Sequence, residues 1–564
     1  MTAATISWEG ATEALDRFLE DHVGLPVRTA FTTFDFNADS FQRSWMRKLR
    51  RARAQVLVLA DHRELQSAMN ADAALVGFQL APVGMRKGVF HPKLVLVRAG
   101  DDLFAAIGSG NLTAGGLGGN LELQVAVASR RGAREPMADG IAAVLRDLAQ
   151  SPLVRIQKSA RRFLTVMTVD LPDGNGVFSS LAHPLIDQVI ATVPRKGTPV
   201  TTVLSPWHAN TGEQVEASVI GQLRKKLGGS IQVLTEGVAG KAPHLPHCRT
   251  RIYRGHGSRA SEIEDLEAMP PRPARLHAKS VIIQQGSSGW WFVGSANATK
   301  PAFCQSVKQG GNLEVLAVLP LDSRALSRLE KTWDALFMDA VGVHRLPATW
   351  TPKACGTILG GELLPETKGS SLRLTACTTD LRQATILIPS STASSRSIAV
   401  HFTKGEATVT GDQLQRLLPT PPDRRQGASS VILEELWRGA RHPFVVSIPL
   451  LIDDERGVPM CDRLEDELRF FERRWPVPRP SAMVHTTDDD DGEEDDDDQE
   501  YDDLTSTQHQ GQLDRWAEQL HRIARLLAGP SLERHRRRLA EICIRDFPPH
   551  LRQLVSTVFR TPSR

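Results

Sequence analysis

The chain has 564 residues, enough for several domains that each bury a core of their own. Hydrophobic residues make up 41% and charged residues 24%, and no run of about 18 apolar residues occurs, so the composition is that of a soluble globular protein without a transmembrane helix. The six cysteines show no CxxC spacing, which excludes a disulfide framework and fits reduced thiols in the cytoplasm.

The net charge of +3 conceals an uneven distribution. The segment DDDDGEEDDDDQEYDD at 488–503 has 13 acidic residues and no Lys or Arg, so the rest of the chain has 68 basic and 52 acidic residues. Without this segment the net charge is +16, which favours a polyanionic partner, although a basic surface also serves solubility.

The segment 1–24 is predicted to be an amphipathic N-terminal helix, and its acidic start is unlike that of a signal peptide. Strands and helices alternate after it, which is typical of an α/β layered domain. The predicted elements are a strand at 27–36, a helix at 38–52, strands at 55–61, 94–99 and 103–107, and a helix at 134–150.

The second half of the chain repeats this order after a connector at 153–194. Its predicted elements are a strand at 198–208, a helix at 213–228, a strand at 230–236 and a closing helix at 322–338. We therefore predict two pseudo-symmetric α/β/α lobes, lobe 1 at 25–152 and lobe 2 at 195–345.

The composition of the chain changes after the second lobe. Short β-rich runs separated by Ser, Thr, Gly and Pro predict a β-rich domain at 349–475. An acidic disordered linker at 476–508 and a basic helical C-terminal segment at 509–564 follow. The β-rich domain and the helices could contact protein partners. The acidic run is either a solvated spacer or a restraint that competes with nucleic acid.

One motif of polar residues occurs twice with the same spacing. Lys lies 2, Ser 18 and Asn 20 residues after His in both copies, and a GGNLE segment follows at 118–122 and at 310–314. A repeat of this kind determines architecture, so we expect the two copies to meet at the seam between the lobes. The copies are His91, Lys93, Ser109, Asn111 and Glu122, and His277, Lys279, Ser295, Asn297 and Glu314.

This set of residues suits the cleavage of a phosphodiester. One imidazole attacks phosphorus to form a phosphohistidine, and the other protonates the leaving oxygen and then activates water. The lysines and asparagines stabilise negative charge on the non-bridging oxygens, and Glu122 or Glu314 can orient an imidazole. We expect backbone and packing roles for the two serines, with direct phosphate contact as the alternative.

The sequence predicts neither a metal site nor a cofactor, because no carboxylate cluster suited to two metal ions is apparent. The segment HLPHC at 244–248 offers three ligand types, but it lacks a partner cluster and is more typical of a polar loop. Trp290 and Trp291 beside the second motif could stack a base, although such strand positions are usually buried.

The paired motifs, HPK…GSGN…GGNLE and HAK…GSAN…GGNLE, resemble those of the phospholipase D superfamily over about 25–345. The resemblance implies a bilobed catalytic unit, with His91 as nucleophile and His277 as acid and base. The superfamily's usual Asp, five residues after the Lys, is replaced by Arg98 and Gln284. In that respect the motif is similar to the His-Lys-Asn form of tyrosyl-DNA phosphodiesterase, and a lipase assignment is weakened.

We therefore expect a cytoplasmic, metal-independent phosphodiesterase that acts as a nuclease on DNA or RNA. By association, the large additional domains suit a component of a defence or repair system. A phospholipase or phosphatidyl transferase is the first alternative, but we find no convincing membrane-binding stretch. The second alternative is a non-catalytic scaffold that binds nucleic acid. The complete His, Lys and Asn in both copies favour an enzyme.

Overall fold

The structure is a computed structural model. The chain divides into two compact units, and all described residues belong to the first, Met1–Pro422 with Ala428–Val458. The acidic run, the C-terminal helices and most of HLPHC therefore lie outside the described residues. Those described are 8–69, 77–194, 197–207, 218–236, 248–253, 275–339, 356–366, 369–388, 397–418 and 430–447.

Lobe 1 is built on a seven-stranded mixed sheet in the order β7-β5-β4-β1-β2-β3-β8. The central strands β1, β2 and β3 run parallel, and their residues are buried almost throughout because both faces of the sheet are covered. The strands are β1 (Val27–Thr33), β2 (Gln55–Asp61), β3 (Gln79–Met85), β4 (Leu94–Ala99), β5 (Asp102–Gly108), β6 (Asn120–Leu121), β7 (Gln124–Ser129) and β8 (Val154–Arg155).

Six helices accompany this sheet. They are α1 (Trp8–Asp21), α2 (Ala38–Phe41), α3 (Arg47–Arg51), α4 (His62–Met69), α5 (Pro136–Gln150) and α6 (Lys158–Thr168). The helix predicted at 38–52 is interrupted by a π-helical turn at Gln42–Met46, which lies between α2 and α3. Trp45 and Met46 in this turn are buried, so the change of pitch serves to place apolar side chains in the core.

Lobe 2 repeats the arrangement with an eight-stranded sheet in the order β17-β12-β11-β10-β14-β15-β16-β9. The strands of this half are β9 (Val177–Ser179), β10 (Val200–Leu204), β11 (Ser230–Thr235), β12 (Cys248–Tyr253), β13 (Arg275–Leu276), β14 (Ser280–Gln285), β15 (Ser288–Gly294), β16 (Val315–Leu321) and β17 (Phe337–Asp339). β13 and β6 belong to neither large sheet and form a two-stranded sheet with each other. The helices of this half are α7 (Leu185–Thr192), α8 (Val219–Leu227) and α9 (Ser323–Leu336).

The predicted fold class of two pseudo-symmetric α/β lobes is confirmed. β1 of lobe 1 and β10 of lobe 2 occupy matching positions. On one side β1 is parallel to β2 and β10 to β11. On the other side each is antiparallel to the strand that follows the His-x-Lys motif, β4 or β14. The segment expected to be a connector holds α6, α7 and two short strands. β8 extends the edge of the first sheet and β9 that of the second, and strands of two or three residues are too short to show a pattern in the sequence.

The β-rich region forms a third sheet of seven strands, in the order β21-β20-β23-β24-β18-β19-β22. Its strands are β18 (Ile358–Glu366), β19 (Gly369–Ala376), β20 (Gln383–Leu387), β21 (Ser397–His401), β22 (Glu406–Val409), β23 (Ser430–Trp437) and β24 (Ala440–Ser447), with helix α10 (Gly411–Leu417). Gln157 ties this sheet to the end of lobe 1, since its amide donates to Gly361 O over 2.8 Å and accepts from the Ser447 hydroxyl. Among the described residues no helix is long and apolar enough to cross a membrane.

Candidate active site

The two polar motifs meet where the lobes exchange backbone hydrogen bonds. The residues before each His-x-Lys pair lie beside the GGNLE segment of the other lobe: β13 pairs with β6, and Phe90 bridges Leu313. His277 N donates to Leu121 O and His91 N donates to Leu313 O, both over 3.0 Å. This reciprocal pairing places both histidines at the seam.

Each histidine is hydrogen-bonded to the glutamate of the opposite lobe. His91 Nδ1 lies 2.7 Å from Glu314 Oε2, and His277 Nδ1 lies 2.6 Å from Glu122 Oε1. A carboxylate at Nδ1 sets the orientation of the ring and leaves Nε2 for chemistry. The sequence pointed to the glutamates as orienting groups, but it could not show that each acts across the seam.

The serines hold the two glutamates in place. The Ser109 hydroxyl donates to Glu122 Oε2 and the Ser295 hydroxyl to Glu314 Oε2, both over 2.5 Å. Each hydroxyl also accepts a backbone N–H, from Leu123 and Val315 respectively. The donor and acceptor capacity of both serines is thus used within the protein.

The lysines lie deep in the same cluster. Lys93 is 2% and Lys279 0% exposed, and each ammonium donates to the carbonyl of its own histidine, over 2.8 and 2.5 Å. Two ammonium groups buried at one seam would repel each other strongly, and Glu122 and Glu314 offset that repulsion when they are ionised. The cluster therefore presents positive charge that is already desolvated and fixed in place.

Asn111 and Asn297 follow the serines in loops at the same seam. The Oδ1 atoms of both are buried and have no hydrogen-bond partner among the described residues. An amide oxygen accepts hydrogen bonds, so the group of each side chain that can donate to an anionic ligand is its Nδ2 and not this oxygen. A π-helical turn follows each asparagine, at Gly115–Gly119 and at Lys300–Cys304.

Burial and mutual repulsion shift the protonation equilibria of the cluster. Burial, with the cations Lys93 and Lys279 beside it, holds the pKa of His91 well below its usual 6.5. Burial and Lys279 lower the pKa of His277 to about 4. Burial also lowers the pKa of Lys279 to about 8 and that of Lys93 well below 10.5. Both imidazoles are thus uncharged at neutral pH.

The two glutamates differ in protonation. Burial raises the pKa of Glu314 to about 8. Burial also acts to raise the pKa of Glu122, but His277 and Lys279 outweigh it, so this pKa lies below its usual 4.5. At neutral pH the His91–Glu314 pair therefore holds one proton more than the His277–Glu122 pair.

Two aromatic residues that the sequence motifs did not indicate complete the site. The Phe34 ring lies 5.0 Å from the His91 ring, and the Trp207 ring lies 5.3 Å from the His277 ring. Each ring also lies beside the lysine of its lobe, 5.7 Å from Lys93 Nζ and 5.3 Å from Lys279 Nζ. Their position just after the central strands β1 and β10 is the one sequence signal that could have indicated them.

Arg98 and Gln284, which replace the superfamily's usual aspartates, lie away from the histidines. Arg98 Nε donates to Gly100 O over 3.0 Å, and Gln284 Nε2 donates to Gly286 O over 3.2 Å. Both glycines have φ of +60° in the turn between the two strands of a hairpin. In both lobes this position therefore stabilises a β-turn.

The structure also describes both tryptophans beside the second motif and part of the HLPHC segment. Trp291 is 5% exposed and therefore belongs to the interior, whereas Trp290 is partly buried and packs against the core of lobe 2. Of the HLPHC segment only Cys248 is described, and it is half-buried with no disulfide. Within the described ranges no group of three or more His, Cys, Asp and Glu is arranged to hold a metal ion.

No protein-family model matches the sequence, and no curated protein matches it either. Among solved structures, the chain is similar to polyphosphate kinase from Porphyromonas gingivalis, with 12% identity and a TM-score of 0.34 over 57% of this chain and 48% of that one. The match thus spans about half the length of the polyphosphate kinase.

The chain is also similar to yeast tyrosyl-DNA phosphodiesterase, with 11% identity and a TM-score of 0.36 over 55% of this chain and 88% of that one. Phosphatidylserine synthase from Haemophilus influenzae matches with 12% identity and a TM-score of 0.34 over 58% and 86%. All three are members of the phospholipase D superfamily, which the paired motifs resemble. At these identities and TM-scores, the function of this chain has to be argued from its own residues.

Proposed function

We propose that the protein is a phosphodiesterase that transfers a phosphoryl group to a histidine and then to water. The supporting observation is the pair of cross-seam hydrogen bonds, His91 to Glu314 and His277 to Glu122, in a cluster that also buries two lysines. Two oriented imidazoles beside two buried lysines are suited to in-line displacement at phosphorus.

The reaction proceeds in two balanced steps. Nε2 of His91 attacks phosphorus, the bond from phosphorus to the leaving oxygen breaks, and Nε2–H of His277 gives its proton to that oxygen. His277 then takes a proton from water, the water oxygen attacks phosphorus, and the bond from His91 to phosphorus breaks. The proton that the His91–Glu314 pair holds in the free protein has to pass to His277 once the phosphodiester is bound.

The pentacoordinate transition state carries extra negative charge on the non-bridging oxygens. Lys93 and Lys279 are buried and positioned before the substrate arrives, so no solvent has to reorganise as the charge develops. The amides of Asn111 and Asn297 add hydrogen-bond donors. These four side chains supply the stabilisation that metal ions provide in other phosphodiesterases, so we expect the reaction to be independent of metal ions.

We propose nucleic acid as the substrate. The net charge of +16 outside the acidic run supports a polyanion, and phosphate contacts dominate the affinity of proteins for nucleic acids. A lipid phosphodiester offers the same reacting group, so lipid turnover is the alternative to be measured beside nucleic-acid cleavage. Binding without turnover would identify the protein as a scaffold.

Incubation of the full chain with labelled single- and double-stranded DNA and RNA, in the presence of EDTA, tests the proposal. We expect cleavage that persists in EDTA, and its complete loss in the variants His91→Ala and His277→Ala. His401→Ala is the matched control, because His401 is an exposed residue of β21 far along the chain from both motifs. Cleavage that EDTA abolishes, or that survives both histidine substitutions, would overturn the mechanism.

Rapid acid-free quenching with labelled substrate assigns the nucleophile, because phosphohistidine is stable to base and not to acid. With an activated ester such as bis(p-nitrophenyl) phosphate, whose leaving group needs no proton, the variant His277→Ala should accumulate the adduct, since it keeps the nucleophile and lacks the group that activates water. An adduct in His91→Ala would instead make His277 the nucleophile.

A further inference from the structure

The motif residues are nearly symmetric about the seam, so they say little about how the two ester groups of an asymmetric phosphodiester are distinguished. His, Lys, Ser, Asn and Glu occur in both lobes, and in both a histidine and a serine bind the glutamate, although the carboxyl oxygens that accept these bonds and the protonation of the two glutamates differ. The reaction is nevertheless asymmetric, because one ester group leaves and the other stays on phosphorus. Recognition of the group that leaves needs residues that touch the motifs and differ in chemistry between the lobes.

Phe34 and Trp207 meet both conditions. Each touches the histidine and the lysine of its own lobe, yet one ring is a phenyl and the other an indole. The Trp207 and His277 ring planes are inclined at 84°, and both aromatic residues remain partly exposed. Each therefore offers aromatic surface beside an imidazole that faces the reacting phosphate.

Both aromatic residues are held in ordered turns. Ser205 donates to Trp207 O over 2.6 Å and accepts from Ala298 N over 3.1 Å, which ties the indole-bearing turn to the loop of Asn297. Thr33 does the same in lobe 1, with bonds to Asp35 O and from Leu112 N. The position of each ring relative to the asparagine and histidine is thus fixed before a substrate binds.

We propose that Trp207 is the specificity-determining residue for the leaving group, and that it selects a leaving group that carries a planar ring, such as a nucleoside. This inference rests on the proposed function, in which His277 protonates the leaving oxygen, so the group on that oxygen lies beside Trp207. Stacking on an indole is largely independent of base identity, because every base has a π face. Phe34 lies on the side of the attacking His91.

Three dinucleotides test the inference: thymidylyl-thymidine and its two analogues in which one nucleoside or the other lacks its base. The product that carries no phosphate identifies the leaving nucleoside. In the unsubstituted protein, kcat/KM should fall when the leaving nucleoside lacks its base, by about 5- to 100-fold as expected for the loss of one base–aromatic stack. Trp207→Ala should remove most of this preference, whereas Phe34→Ala should keep it.

Trp290→Phe is the matched control, since Trp290 lies on β15 at a distance from the site. It precedes Ser295 by five residues, which is roughly 16 Å along an extended strand. If Trp207→Ala lowers kcat/KM equally for all three dinucleotides, Trp207 only positions His277 and Lys279, and the inference is wrong. It is also wrong if the unsubstituted protein does not distinguish the abasic leaving group. Failure to cleave any dinucleotide or bis(p-nitrophenyl) phosphate would instead reject the proposed function, and this inference with it.

Discussion

Glu122 and Glu314 are the residues that make one site out of two lobes. Each is nearly inaccessible to solvent, and each binds the histidine of the lobe to which it does not belong. A buried carboxylate is costly unless donors surround it, and here a serine hydroxyl and an imidazole serve both glutamates. Neither lobe alone could therefore keep its glutamate buried in this state.

The different pKa shifts of the two glutamates predict a pH dependence of stability. Glu314 has a folded-state pKa of about 8 against 4.5 when unfolded, so the folded protein binds the extra proton and loses stability as pH rises towards 8. The lowered histidine pKa values act in the opposite direction below 6.5 and the lowered lysine pKa values do so towards alkaline pH, and a comparison with Glu314→Gln removes contributions that both proteins share. Between pH 6.5 and 8 the unsubstituted protein should lose about 2 kcal/mol relative to Glu314→Gln.

Thermal or urea unfolding of both proteins across this pH range measures the difference. Glu122→Gln is the matched control, because the pKa of Glu122 is lowered and its contribution is constant above pH 6.5. A difference between the unsubstituted protein and Glu314→Gln that stays constant over this range would show that Glu314 is ionised in the folded state.

The π-helical turn at Gly115–Gly119 is the element that positions Asn111. A Cβ atom on Gly116 would lie 2.2 Å from the carbonyl oxygen of Asn111, a distance that no side chain tolerates. Gly116→Ala should therefore displace Asn111 and lower kcat by about 10- to 100-fold, as expected for a shift of about 1 Å in a catalytic group. Cleavage assays on the folded variant measure this loss.

Gly119→Ala is the control within the same turn. A Cβ atom there would meet its nearest neighbour, Ala114 O, at 3.5 Å, which is ordinary contact, so activity should stay close to that of the unsubstituted protein. Equal activity of the two variants would mean that Asn111 takes no part in the reaction.

The central elements were predictable from the sequence, and the pairing between the lobes was not. The strand predicted at 55–61 is β2, and that at 94–99 is β4, because buried strands flanked by turns give a clear pattern. The strand predicted at 27–36 ends at Thr33, since the chain turns there to place Phe34 beside His91. The equal spacing of the two motifs predicted that they meet at the seam. No local sequence pattern, however, indicates which lobe supplies the glutamate for which histidine.

At the scale of the whole molecule, the two lobes share one hydrophobic core. The same cluster contains Leu96 and Ile107 of the first sheet and Val293 and Ala317 of the second. The β-rich sheet is connected differently, since it contacts lobe 1 through polar groups around Gln157 and contributes Val445 to the outer cluster of that lobe. The lobes should therefore unfold together, and the distant strands of the β-rich sheet separately.

Leu96→Ala tests this cooperativity. Leu96 is fully buried in the shared core, so truncation should cost about 2–5 kcal/mol. If the lobes form one cooperative unit, native-state hydrogen exchange should accelerate by the same free energy in β4 and β5 of lobe 1 and in β14 and β15 of lobe 2. Hydrogen exchange measured by mass spectrometry on peptides from each strand distinguishes exchange in lobe 1 from exchange in lobe 2.

Ile386→Ala is the comparison, because Ile386 is equally buried but lies in β20, outside the shared core. Its effect on exchange should be confined to the third sheet. Acceleration in lobe 1 alone after Leu96→Ala would contradict a common unfolding unit. Such an opening of one lobe would separate His91 from Glu314 and His277 from Glu122, so the proposed active site can persist only as long as both lobes remain folded together.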